Sequence, residues 1–380
     1  MQYDTKPAWV ANAAALQNMV ADLSSHPIIA VDTESNSLFA YYEQVCLIQF
    51  STPQTDYLVD TLTIEDLSPL EQIFANPEIE KVFHAAEYDL ICLKRDYGFT
   101  FANIFDTMVG ARNLGWKRTG LGNILQEQFD VKVNKKYQRA NWGKRPLDQK
   151  QLDYARTDTH YLIQLRNLIY EELKRMGRWD MAKEQFRQAL NVTIPEPNDP
   201  ILACWRSCRN AKLNERQRTV LYEICRYRED YAQRINRPPF KVLSKQIMVN
   251  TAEVSPQNYH ELQQVQGLKG RNLKRHAKGL LKAVERGLSR PIFHDQRHYN
   301  HYNETYQMNL EALRDWRKNK AKTLNVESDV VITRSTMEKI AHKNPSSLGE
   351  LRSAMRHCPE RFDQYGENIL YILQHNHHAK

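Results

Sequence analysis

Ile28-Ile29-Ala30-Val31-Asp32-Thr33-Glu34 is an apolar run that ends in two carboxylates, two residues apart. Four consecutive apolar residues, three of them β-branched, read as a buried strand. Residues two apart on a strand point to the same face, so Asp32 and Glu34 leave the sheet side by side. Adjacent carboxylates repel unless a proton or a cation stands between them. Hard divalent cations such as Mg²⁺ and Mn²⁺ prefer carboxylate oxygens and open, hydrated sites.

The flanking chain alternates between strand-like and helix-like stretches. Residues 45–51, rich in β-formers, and 57–59 read as two more strands, and 67–74 as a helix. A strand at 81–84 leads into a helix at about 86–97, followed by a strand at 104–107. From there to about residue 190 the pattern is mostly helical. His84-Ala85-Ala86-Glu87-Tyr88-Asp89 puts Asp89 on the helix after the fourth strand. Tyr154-Ala155-Arg156-Thr157-Asp158 falls in a stretch of helical period, 152–168. Positions four apart share one helix face, so Asp158 can complete a metal site while Tyr154 holds a water one turn away. Such parts suit in-line attack on phosphorus, with two cations roughly 3.5–4 Å apart activating the water and stabilising the leaving oxygen. Singly, each motif has a plain reading: a solvated strand end, a helix cap, a core ring. The joint order is the specific signal, and it places the acids on a sheet edge and two helices.

These motifs resemble the DEDD exonuclease superfamily, in the branch with Tyr in the third motif. The other branch carries His five residues before the last Asp, where this chain has Asp153. Phe105-Asp106-Thr107-Met108, Leu121-Gly122-Asn123-Ile124-Leu125, and Trp142 with Arg145-Pro146-Leu147 resemble the ribonuclease D family. The likeness extends over essentially the whole chain, with Asn141-Trp142 standing where the family has Asp-Trp. It implies an α/β ribonuclease H-like exonuclease domain. It also implies roles for Asp32, Glu34, Asp89, Tyr154 and Asp158 as the catalytic set, the four acids holding two Mg²⁺ or Mn²⁺ ions. Asp32 would bridge both ions, Glu34 and Asp158 would complete the first, and Asp89 would hold the second largely through water. Tyr154 would orient the attacking water, because a phenol with a pKa near ~10 is a poor base at neutral pH.

The chain has 380 residues, enough for two or three domains, and 41% hydrophobic residues, enough for ordinary cores. No run of about 18 apolar residues marks a membrane span. Residues 1–7 lack a basic region followed by an apolar one, so no secretory signal is expected and the cytoplasm is the expected location. The six cysteines are scattered; Cys204 and Cys208 are the one close pair, and buried reduced thiols are expected. His375, His377 and His378 read as a frayed polar tail.

The net charge of +8 is unevenly spread. Residues 1–199 carry −6, residues 200–300 carry +12, and residues 301–380 carry +2. A catalytic half that is acidic needs another segment to attract a polyanion, and the middle segment is suited to it. The loop 132–145 adds Lys132, Lys135, Lys136, Arg139, Lys144 and Arg145, interleaved with Tyr137 and Trp142. Charges that track phosphates beside rings that stack on bases suit a single strand, and a solvated loop with Trp142 in the core is the alternative.

Val192-Thr193-Ile194-Pro195-Glu196-Pro197-Asn198-Asp199-Pro200 reads as a linker, and a second break falls at 289–301. The two segments after the linker repeat at an offset of 89: Met248 with Met337, Glu261-Leu262 with Glu350-Leu351, Leu281 with Leu370, Tyr227-Arg228 with Trp316-Arg317. Each copy reads as four or five short helices and resembles the helicase-and-RNase-D C-terminal (HRDC) domain. The expected division is an exonuclease domain at 1–195 and all-α HRDC-type domains at 205–290 and 302–380. Gly267-Leu268-Lys269-Gly270-Arg271 in the first copy is either a phosphate-receiving helix start or a simple cap. The second, nearly neutral copy is expected to shape the molecule more than to bind.

The resemblance implies a 3′→5′ exoribonuclease trimming tRNA precursors and other small structured RNAs with single-stranded 3′ ends. No membrane is expected, and no obligate protein partner is implied. A DNA exonuclease is the rival with the same chemistry, since contacts to the 2′-OH have no local motif. A non-catalytic RNA-binding scaffold is the rival of another class, and it predicts the loss of at least one acid.

Overall fold

In a computed structural model, residues 6–196, 199–295 and 304–375 are described. Residues 1–5, 197–198, 296–303 and 376–380 lie outside the described residues; they include parts of both expected linkers and His377 and His378.

The N-terminal part holds β1 (Ala8–Val10), α1 (Ala13–Ser24), β2 (Ile28–Ser35), β3 (Val45–Ser51), β4 (Asp56–Val59), α2 (Glu71–Phe74), β5 (Glu80–Phe83), α3 (Glu87–Tyr97) and β6 (Ile104–Asp106). The strands form one sheet in the order β1-β4-β3-β2-β5-β6. β2 is antiparallel to β3 and parallel to β5. It is therefore an interior strand, and the expectation that its acids lie at a sheet edge is corrected. Pairing with β3 carries β2 past Asp32 to Ser35, so both acids of the first motif lie on the strand. β1, three residues long, pairs with β4 at the far side and is too short to stand out as a sequence pattern.

Helices α4 (Thr107–Leu114), α5 (Leu121–Phe129), α6 (Gln149–His160), α7 (Leu162–Arg175) and α8 (Trp179–Ala189) follow. The expected single helix at 152–168 is two, broken at Tyr161. One face of the sheet buries Val31, Ile48, Phe50 and Val59 in the main core. The other face sets Leu47 and Leu58 against Tyr154, Ala155 and Trp142, with α6 above.

Two five-helix sets complete the chain. α9 (Pro200–Ser207) precedes the first: α10 (Glu215–Arg234), α11 (Pro239–Val242), α12 (Lys245–Val254), α13 (Tyr259–Gln263) and α14 (Gly270–Ser289). The second is α15 (Glu304–Leu324), α16 (Ser328–Val331), α17 (Arg334–Lys343), α18 (Leu348–Ala354) and α19 (Pro359–His375). Every helix of the second set starts 89 residues after its counterpart, the offset seen in the sequence. No helix among the described residues is long and apolar enough to cross a membrane.

The described residues of 1–35, 45–194 and 300–380 form one compact unit, and those of 36–44 and 195–299 a second. In the first unit the second helical set docks on α8 through a buried ion pair between Glu184 and Arg361, each with a side chain 2% exposed. Arg361 also donates to the carbonyls of Val330, Val331 and Met181 at 2.9, 3.0 and 3.2 Å. In the second unit the segment 36–44 lies on the first set: Asn236 Oδ1 accepts the N–H groups of Tyr41 and Tyr42 at 2.9 and 3.1 Å. Cys204 and Cys225 form a disulfide between α9 and α10, which corrects the expectation of six reduced thiols. The packing of these helices brings their Cα atoms to 6.0 Å, within the range a disulfide spans. Cys46, Cys92, Cys208 and Cys358 are buried thiols outside this bridge.

Candidate active site

Register aims the first two acids. Asp32 stands opposite Gln49 and Glu34 opposite Leu47 on β3, so both project toward α6. α6 opens with a capping box: Asp148 accepts from the Gln151 N–H at 2.9 Å, and the Gln151 side chain accepts from the Asp148 N–H at 3.1 Å. Its setting on the sheet is fixed by Asp56 of β4, which pairs with Arg156 and takes His160 Nδ1 at 2.9 Å. Ser51 bridges Asp56 and Thr159 at 2.6 and 2.7 Å. A helix held at these points turns Tyr154 and Asp158 toward β2.

One carboxylate oxygen each from Asp32, Glu34 and Asp158 falls within 4.8 Å of the other two. This is the one such group of Asp, Glu, His or Cys ligands among the described residues. Asp89 stands beside the group and not in it: Thr33 donates its hydroxyl to the Asp89 carboxylate, and Asp89 acts on both Asp32 and Glu34. Its helix starts from a turn in which Ala85 has φ +65°, an uncommon conformation for a residue with a Cβ. Asp106 holds that turn, accepting the N–H groups of Ala85 and Ala86 at 3.0 and 2.8 Å. The same carboxylate caps α4 through Met108 and Val109 at 2.9 and 3.1 Å.

Burial, with Asp89, Asp158 and Glu34 nearby, holds the Asp32 carboxyl well above its ordinary value. Burial, Asp158 and Asp89 do the same to Glu34. Burial also raises Asp89 and Asp158. Crowded oxygen donors that raise one another's proton affinity fit a divalent cation, whose charge removes the repulsion.

The Tyr154 hydroxyl hydrogen-bonds the Asp158 carboxylate. Burial and the charges of Asp158, Glu34 and Asp32 push its ionisation further up, so it serves as a hydrogen-bonding group and not as a base. Trp142 and Tyr137 flank its ring, each with its centroid 6.1 Å away. A cleft of about 200 Å³ opens at this tyrosine, with Lys132, Asn134, Tyr137, Lys150 and Thr157 among its walls. Lys132, Lys135, Lys136, Arg139 and Lys144 are exposed. Arg145 has a different task from the one expected in the basic loop. It clamps Asp60 through Nε and Nη2 at 2.8 and 2.7 Å and donates to the carbonyls of Cys46 and Trp142.

The structure thus gathers Asp32, Glu34, Tyr154 and Asp158 and sets Asp89 alongside. Sequence reasoning missed the supporting roles of Thr33, Asp56 and Asp106. Their partners lie far along the chain, or are backbone groups without a motif.

A family profile described as 3′-5′ exonuclease matches residues 7–174, and one for the HRDC domain matches 217–284 and 307–373. The exosome complex exonuclease RRP6 of Saccharomyces cerevisiae is 35% identical over 67% of this chain and 37% of that protein. The chain spans 20–37% of the length of the first four curated relatives, RRP6 among them. Ribonuclease D of Gluconacetobacter diazotrophicus is 30% identical over 73% of this chain and 71% of that protein. The crystal structure of Escherichia coli RNase D has the same fold, with a TM-score of 0.68 at 24% identity over 97% of this chain and 99% of that one. With an exonuclease domain, two HRDC segments and 30% identity over most of a ribonuclease D, the chain belongs to the ribonuclease D family.

Proposed function

We propose that the chain is a 3′→5′ exoribonuclease that trims tRNA precursors and other small structured RNAs with single-stranded 3′ ends, releasing nucleoside 5′-monophosphates. The observation that carries this reading is the gathering of Asp32, Glu34 and Asp158, with Asp89 and Tyr154 against them. Asp32, Glu34, Asp89 and Asp158 would hold two divalent cations, Mg²⁺ or Mn²⁺. When bound, the cations supply a water acidic enough to attack phosphorus and stabilise the charge on the leaving 3′ oxygen. Tyr154 orients the water, its ring held by Trp142 and Tyr137. The exposed Lys132, Lys135, Lys136 and Arg139 draw the strand's phosphates toward the cleft.

The division into an exonuclease domain at 1–195 and HRDC domains at 205–290 and 302–380 belongs to this reading, as does a cytoplasmic setting. Affinity for the RNA body comes from the first HRDC copy. Arg271, Lys274, Arg275, Lys278 and Lys282 are exposed on α14 at spacings that keep them on one helix face. Such a stripe follows a phosphate backbone.

A hairpin RNA with an unpaired 3′ tail tests the activity. With Mg²⁺, 5′-monophosphates should leave one at a time and digestion should pause a few nucleotides from the stem. Each stacked pair opened costs about 1.4 kcal/mol, roughly tenfold in rate. Internal cuts, 3′-phosphate products or smooth passage through the stem would overturn the proposal, and a matched DNA hairpin separates RNA from DNA preference.

A further inference from the structure

Gln49 is fully buried at 0% exposure, and neither its Oε1 nor its Nε2 has a hydrogen-bond partner. It is a polar residue in the otherwise apolar run Val45-Cys46-Leu47-Ile48-Gln49-Phe50. Its place in the sheet is specific. On β3 it stands directly opposite Asp32, so the two side chains leave the same face of the sheet as cross-strand neighbours. Two residues away on that face, Leu47 packs under Tyr154 and Ala155, and Ser51 bonds Thr159 at 2.7 Å. The amide is thus enclosed beneath α6, beside the acid that stands at the centre of the cluster. A buried amide without partners costs about 1–3 kcal/mol for each group left unsatisfied. A leucine or methionine would fill the same space without that cost.

From this juxtaposition we infer that Gln49 is a positioning residue for Asp32. Its Nε2–H donates to the Asp32 carboxylate in the cation-bound state and so fixes which oxygen faces the cation. Donors of this kind orient carboxylate ligands, and their loss typically costs about 10–100-fold in metal affinity. Gln49 itself touches neither RNA nor cation. The inference rests on the proposed role of the acids as cation ligands.

The test compares the full chain with Gln49→Leu and Gln49→Met, both of which keep the packing volume. Mn²⁺ affinity is measured by calorimetry without RNA, RNA affinity in EDTA, and melting temperature without cations. Both variants should bind Mn²⁺ about 10–100-fold more weakly, melt at or above the wild-type temperature without cation, and hold RNA as wild type does. Wild-type Mn²⁺ affinity in both variants would overturn the inference and leave a tolerated buried amide. A lower cation-free melting temperature would also overturn it, by showing that the amide supports the fold in the empty state. If the wild-type chain binds no Mn²⁺, the reading of the acids fails first, which separates the two failures.

Discussion

Replacing Asp158 by Asn should make the cation-free protein more stable while abolishing its activity. Oxygens of Asp32, Glu34 and Asp158 lie within 4.8 Å of one another. At an effective dielectric of about 20, two unit charges at that distance repel by about 3.5 kcal/mol, and in bulk water by less than about 1 kcal/mol. Asp32 and Glu34 are partly exposed, so the repulsion lies between these limits. Protonation of one acid relieves part of it. Asn keeps the size and an oxygen for the Tyr154 hydroxyl but removes the charge facing two neighbours. A gain of about 1–3 kcal/mol is expected, a rise of roughly 2–6 °C in melting temperature in EDTA. Because folding raises these carboxyl pKa values, the native state binds protons more tightly than the unfolded one. Their contribution is therefore present at low pH and lost as pH rises from the ordinary carboxylate range toward the raised values. The wild-type protein in EDTA should lose stability over that interval more steeply than Asp158→Asn. With Mg²⁺ the order should reverse, since binding to the native state stabilises only the protein that keeps its ligands. Thermal melts in EDTA and in Mg²⁺ across pH, alongside release of 5′-monophosphates, measure all of this. A variant that melts lower in EDTA would show that the carboxylate supports the fold, and an unchanged Mg²⁺ shift would refute the cation site.

Tyr154→Phe should lower kcat with little change in stability, because it removes the bond to Asp158 and the proposed hold on water but keeps the ring between Trp142 and Tyr137; full activity in single-turnover assays would remove its positioning role. Asp106→Ala should cost about 2–4 kcal/mol in denaturant melts, combining a missing helix cap with the freed, strained turn at Ala85. The same variant should slow cleavage through misplacement of Asp89. Arg361→Ala should destabilise the first unit by about 3–5 kcal/mol at neutral pH, since it leaves Glu184 buried and unpaired. Burial and Glu360 raise the Glu184 carboxyl above its ordinary value, so the deficit should shrink as pH falls and the carboxyl takes up a proton. Neutralising Lys274, Arg275 and Lys278 to Gln should flatten the salt dependence of RNA binding, by about 0.7–0.9 in log–log slope for each phosphate no longer neutralised; an unchanged slope would move the binding face off α14.

The parts of the site that were legible in the sequence are those encoded by local periodicity. Asp32 and Glu34 follow from the two-residue repeat of a strand, and Tyr154 with Asp158 from the four-residue step of a helix. The helical repeat was legible because insertions never disturbed its register: all five helix starts keep the offset of 89. What stayed hidden depends on partners distant in sequence. Arg145 looked like a phosphate ligand in a basic loop, yet Asp60, 85 residues earlier, takes its guanidinium. The disulfide joins cysteines 21 residues apart, although Cys204 and Cys208 are the closer pair along the chain. The docking of the second helical set on α8 depends on Arg361 and Glu184, 177 residues apart, and neither sits in a motif.

The arrangement of charge explains why one chain combines these parts. Four carboxylates that repel one another also repel the phosphates they are proposed to cut, and the exonuclease half as a whole is acidic. On the proposed reading, concentrating the excess of positive charge in residues 200–300 would supply attraction without neutralising the acids, since cations placed among them would take the place of the metal. The local lysines respect the same limit: Lys132 and Lys150 line the cleft at Tyr154, while the charges acting on Asp32 and Glu34 are other carboxylates. Residues 301–380 carry only +2, and the buried Arg361 there pairs with Glu184 of α8. On this reading affinity and chemistry rest on separate residues, so a change that weakens RNA binding through α14 is expected to leave the geometry of Asp32, Glu34 and Asp158 unaltered.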